Sequence, residues 1–264
     1  MPAHTVLSDR SFTWIHALLR SMRSWWHMLH VGSIVLVLAL SPSSYTPEFR
    51  HRTARHINTS TWQAMPWFTA LSALLSLVLI RIVVVTALSY GLSQYALQMV
   101  VRVLVLELIP LSAALFVALR AGLAFNAGAV DLATRPTVNH RKLDLDHLRS
   151  HATPHVLADT FSVWALATVS SVVVLVMAYF TVYGLSPWGL PGFTRTVGQV
   201  FDLAVSLGFI LKTLFFSLAV AVVPMAAGLE AAQHRATDTI QPGAVRLFLV
   251  LFLLEAASLA VKYI

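Results

Sequence analysis

Residues 101–125 read VRVLVLELIPLSAALFVALRAGLAF, and this stretch decides the fold. It is long and apolar enough to cross a bilayer, for which about 20 mostly apolar residues suffice. Yet it holds Glu107, Pro110 and Arg120. Charged side chains are costly in hydrocarbon, so an ionisable residue inside a span is a functional candidate by default.

The whole chain has the same character. Of 264 residues, 58% are hydrophobic and only 11% are charged, with a mean hydropathy of +0.76. Soluble domains are about one-quarter charged, and so apolar a chain in water would expose aggregation-prone patches. The composition is that of an integral membrane protein. Cysteine is absent, which excludes disulfides and thiolate metal sites. The formal net charge of +7 is explained by basic cytoplasmic loops rather than by nucleic acid.

Five spans are expected, at residues 62–90, 103–125, 161–185, 203–229 and 244–264. Only 161–185 lacks Asp, Glu, Lys and Arg; the others hold Arg81, then Glu107 with Arg120, then Lys212, and last Arg246, Glu255 and Lys262. Ahead of them, Phe12, Ile15, Leu18, Leu19, Met22, Trp25, Trp26 and Leu29 recur at helical spacing beside Arg20 and Arg23. Tryptophans and arginines on an amphipathic helix suit the membrane interface. They do not suit a cleaved signal peptide, which needs an uninterrupted apolar core. The expected fold is therefore all-α, an interfacial helical segment over 11–56 followed by a five-span core over 62–264, in one domain.

Eleven basic residues fall before residue 62, in 126–159 or, as Arg235, in the loop after Glu230, against Arg102, Arg195 and Lys262 on the other side. That asymmetry puts the N-terminus in the cytoplasm and the C-terminus outside. The segment 186–199, with its Pro, Gly and Trp, is expected as an outward turn at the interface.

Glu107 and Arg120 are 13 residues apart, about 20 Å along a helix, and cannot pair within it. Glu107 needs a partner from elsewhere, such as Lys212, or water, or a proton. Arg120 reads as a cytoplasmic-edge residue, and Glu255 as paired with a base or near water. His147, His151 and His155 recur every fourth residue beside Asp144 and Asp146, but Pro154 interrupts the helix before the third, so no metal is expected. Asn58-Thr59-Ser60 is a sequon at a cytoplasmic boundary and is discounted. No phosphate-binding glycine loop and no local Ser-His-Asp signature occurs, so neither cofactor nor catalysis is expected of this chain.

The stretch resembles the Mla-type permeases of lipid-transporting ABC systems that work with MCE proteins. That family carries Arg-Glu-Leu-Gly-Pro and, some ten residues on, Ala-Gly-Arg-x-Gly. Here stand Leu106-Glu107-Leu108-Ile109-Pro110 and Ala118-Leu119-Arg120-Ala121-Gly122. Pro47-Glu48-Phe49-Arg50, Leu211-Lys212-Thr213-Leu214-Phe215-Phe216, Arg235-Ala236-Thr237 and Leu254-Glu255 fall in register with further family motifs. The resemblance implies a bacterial inner-membrane permease that passes phospholipid and serves lipid asymmetry. Its partners would be an ATPase subunit, an MCE-domain protein and a second permease copy, either identical or paralogous.

It places Glu107, Pro110, Lys212 and Glu255 at a lipid cavity. Arg120, Leu143, Leu145, Leu148, Pro154 and His155 become candidates for coupling to the ATPase. The family's Glu-Gln docking helix is missing from 130–159, and Pro154-His155 replaces its Pro-Arg. Either the ATPase has diverged with it or this chain is the weaker half of a mixed pair. A membrane-embedded lipid-modifying enzyme and a small channel or secondary carrier are the rival readings.

Overall fold

The structure is a computed structural model that describes residues 47–134, 153–234 and 242–263, and a few positions between 26 and 37. The expected interfacial helix lies mostly outside these residues; its end, α1 (Pro47–Ile57), is helical. A short π-helical turn, Asn58–Trp62, leads into α2 (Met65–Ser89). Pro66 stands in the first turn of α2, where its missing N–H costs nothing. The span thus begins three residues later than the apolar run suggested.

Helix α2 ends in a reverse turn built on Gly91, whose φ is +71°. Leu92 N–H donates to Ala87 O and Gly91 N–H to Leu88 O, the paired bonds of a Schellman cap. The chain then returns as α3 (Ser93–Val100), a π-helical segment (Val101–Leu108) and α4 (Ile109–Thr134). The span in this helix begins at Gln94 rather than at 103. Gln94, Gln98 and Arg102 interrupt the apolar run, which is why the sequence alone set its start too late.

Helix α5 (Thr153–Tyr183) follows. It is closed by Gly184 at φ +67°, whose N–H donates to Phe180 O. Segment 186–199 is helical rather than a bare turn: a 3₁₀ turn at Pro187–Gly189 and then α6 (Leu190–Val200). Helices α7 (Leu203–His234), with Pro224 inside it, and α8 (Pro242–Tyr263) complete the fold. Five helices are long and apolar enough to cross a membrane, and no strand occurs among the described residues. The all-α, five-span expectation holds.

Helix α5 is the centre of the bundle, packed by α1, α2, α4 and α7, while α8 lies on α7 and touches α4. The interfaces are lined by small side chains: Ala113, Ala114, Ala167, Ala178 and Ala221 are fully buried. In lipid no hydrophobic force draws helices together, so close approach over small residues supplies the packing energy. Trp67, Leu74, Ile82 and Leu88 of α2 and Phe248, Phe252 and Val261 of α8 face outward, as expected of lipid-facing surface. Ala167→Leu should therefore push α5 from its neighbours, at about 1–3 kcal/mol. Thermal unfolding in detergent should show a lowered midpoint for Ala167→Leu and little change for the outward Leu253→Ala.

Candidate functional site

The site is built on the π-helical segment. Its last wide-pitch bond runs from Ile109 N–H to Leu104 O. Pro110, which is buried, has no N–H with which to continue the pattern. The wider i→i+5 winding, typical of functional positions in long helices, turns Glu107 away from the apolar packing of Leu104, Val105 and Leu106. Glu107 is half-buried and faces α7.

There Lys212, only 7% exposed, closes the gap. Its Nζ donates to Glu107 Oε2, and the same nitrogen lies 2.7 Å from Glu255 Oε2 on α8. The second contact is an ion pair. The ammonium also sits 5.6 Å from the centroid of the Phe216 ring, one turn along α7, close enough for a cation–π contribution. Two carboxylates and one ammonium leave the cluster one formal negative charge.

Of the four residues expected at one cavity, Glu107, Lys212 and Glu255 meet, and Pro110 stands three positions after Glu107 in the helix that presents it. What the sequence left open is the pairing. Lys212 serves both carboxylates, across sequence separations that no local pattern reveals. Nearby in the fold, Phe68, Ser72, Ser76, Leu108, Ile109 and Ser112 line an apolar cleft of about 60 Å³.

The coupling candidates occupy another part of the bundle. Arg120 does not reach Glu107; its Nη2 donates to Thr59 O at 2.6 Å, in the π turn after α1. Asp159 stands within electrostatic reach of Arg120. Thr61 and Ser162 share a buried 2.6 Å hydrogen bond, and the His56 and His155 rings lie 3.8 Å apart. Pro154 is buried beside them in the first turn of α5. Thr59, Thr61 and Ser162 carried no signal in the sequence, being ordinary polar residues near helix ends. Leu143, Leu145 and Leu148 lie outside the described residues.

Burial, and then the neighbouring Arg55 charge, lower the His56 pKa from its usual 6.5. The docked state therefore favours the neutral ring. Its stabilising contribution is complete above the unfolded value and is lost as pH falls through the lowered folded one. Protection of the Pro47–Ile57 amides against hydrogen exchange, taken relative to the intrinsic exchange rate at each pH, should fall when pH drops from about 7.5 to about 5.5. In His56→Phe that loss of protection should disappear.

No curated protein matches the chain. Its sequence does match the family described as Permease MlaE over residues 53–259, most of its length. The match runs from α1 to the last turns of α8 and includes Glu107, Lys212 and Glu255. The chain belongs to the MlaE permease family, the multi-pass membrane subunits of lipid ABC transport systems.

Proposed function

We propose that this chain works as one of two permease subunits enclosing a phospholipid cavity, driven by a separate cytoplasmic ATPase and handing lipid to or from a periplasmic MCE protein. The observation that carries the proposal is the Glu107–Lys212–Glu255 cluster, charge kept inside a bundle otherwise made of apolar and small residues. Supporting it, two clefts among the described residues measure about 230 and 60 Å³, below the roughly 300–1,000 Å³ of ligand pockets. A lipid would need walls from a second copy, and the apolar outward faces of α2 and α8 are available for that role. The N-terminus lies in the cytoplasm on this reading, which turns α1, Arg120 and His155 towards the ATPase.

The cluster makes a specific demand. Glu107→Gln keeps volume and removes one of two carboxylates around one ammonium, so the fold should persist while ATP-dependent lipid movement falls. Lys212→Met leaves two carboxylates facing each other without a cation; breaking such a buried pair costs about 3–5 kcal/mol. Lipid transfer in proteoliposomes, with membrane insertion measured in parallel, checks both. Normal transfer by both variants would make the cluster dispensable for transport.

The partners are tested by purification. Affinity-tagged chain should bring down an ATPase and an MCE-domain protein, whereas a solitary oligomer would favour a channel or an enzyme. Residues 130–159 place Leu143, Leu145 and Leu148 among charges, a pattern for a docking helix. Leu145→Asp with Leu148→Asp should detach the ATPase while the spans still insert, because apolar anchors dominate such interfaces.

A further inference from the structure

The polar residues that interrupt the start of the second span have no role in the site described above. Tyr95, Gln98, Met99 and Arg102 follow i, i+3, i+4, i+7 spacing and therefore share one face of the helix. They line an open pocket of about 230 Å³. The opposite face, Ala96, Leu97, Val100 and Val101, is buried. Gln98 is tied across to α6, its Nε2 donating to Gln199 Oε1 at 3.4 Å.

Arg102 lies two turns inside the span that begins at Gln94. It is exposed, and among the described residues it has neither a carboxylate nor a hydrogen-bond partner. An arginine at such depth draws an anion to it or extends to the membrane surface.

We propose that Tyr95, Gln98 and Arg102 form a site for the phosphate of a phospholipid headgroup, at the end of the bundle remote from α1. The inference rests on the reading of the chain as a lipid permease. The guanidinium presents a planar fork that takes two phosphate oxygens at once. Tyr95 and the Gln98 amide add neutral donors, and Met99 offers apolar contact to the glycerol end. The pocket is too small for a whole lipid and of the scale of a headgroup, open enough for exchange.

The π-helical winding gives the site its place on a path. Position i+5 falls closer to the face of residue i in this winding than in an α-helix, so Glu107 follows Arg102 along one side of the helix. Attraction at Arg102 holds the phosphate at the mouth, while the apolar part of the lipid is unaffected by it.

The test uses the full chain in nanodiscs of phosphatidylcholine doped with monogalactosyldiacylglycerol, a lipid without phosphate, and native mass spectrometry to count what stays bound. Wild-type chain should retain phosphatidylcholine in preference to the galactolipid. Arg102→Gln should reduce that preference about tenfold, the scale of one charge-assisted contact, and Arg102→Lys should keep part of it. Wild-type preference left intact in Arg102→Gln overturns the site while the permease reading stands. A wild-type chain retaining neither lipid overturns the permease reading too. Displacement of the phospholipid by equimolar glycerol 3-phosphate would assign the pocket to soluble phosphate esters and overturn the lipid assignment.

Discussion

One ammonium between two carboxylates, in the middle of an apolar bundle, is the constraint around which the rest is arranged. Lys212 joins the π-helical segment, α7 and α8 through a single nitrogen. Helix α8 depends on this most, because only 11% of its span is buried, against 56% for the span Gln94–Ala121. Apolar side chains gain little by choosing a helix over lipid, so packing alone leaves the rotation and axial register of α8 weakly set. Glu255 sets both. Buried ion pairs are poor sources of net stability and better attested as devices of register, which is the part this one plays.

The π-helical segment follows from the same demand. With α-helical winding throughout, a continuous helix from Ser93 to Thr134 would keep a single apolar stripe towards the core. Eight residues of wider winding shift that stripe. Val101, Leu104 and Val105 stay against α2 and α5 in the core, while Glu107 turns to α7. Pro110 ends the segment and returns the chain to α-helix. The cost is a less compact hydrogen-bond ladder, accepted where a carboxylate must be delivered to a fixed point.

The five spans were legible in the sequence because length and apolarity depend on local composition, which a one-dimensional reading sees in full. The start of the second span was not, because Gln94, Gln98 and Arg102 have the composition of a loop and become a polar face only once wound into a helix. Segment 186–199 misled for the opposite reason. Pro187, Pro191 and three glycines signal a turn, yet both prolines stand in first turns, where they favour helix. Glu107, Lys212 and Glu255 were legible as candidates because charge in a span is rare. Their pairing was not, since Glu107 and Lys212 are 105 residues apart and only the packing of α4, α7 and α8 decides which bases meet which acids.

The two polar centres near α1 and around Lys212 differ in kind, and that difference bears on how the bundle can transmit a push. Around α1 short contacts predominate, with the Asp159 carboxylate near Arg120: Arg120 to Thr59 O, Thr61 to Ser162, one imidazole on another. Such short-range bonds tie α1 to α4 and α5 at fixed distance, so a force on that end moves the three together. The Lys212 cluster is held by charge, which falls off slowly with distance in a low-dielectric interior. A displacement of α4 and α5 is therefore carried as a unit from the α1 end, and it reaches α7 and α8 through the Lys212 contacts that set their register.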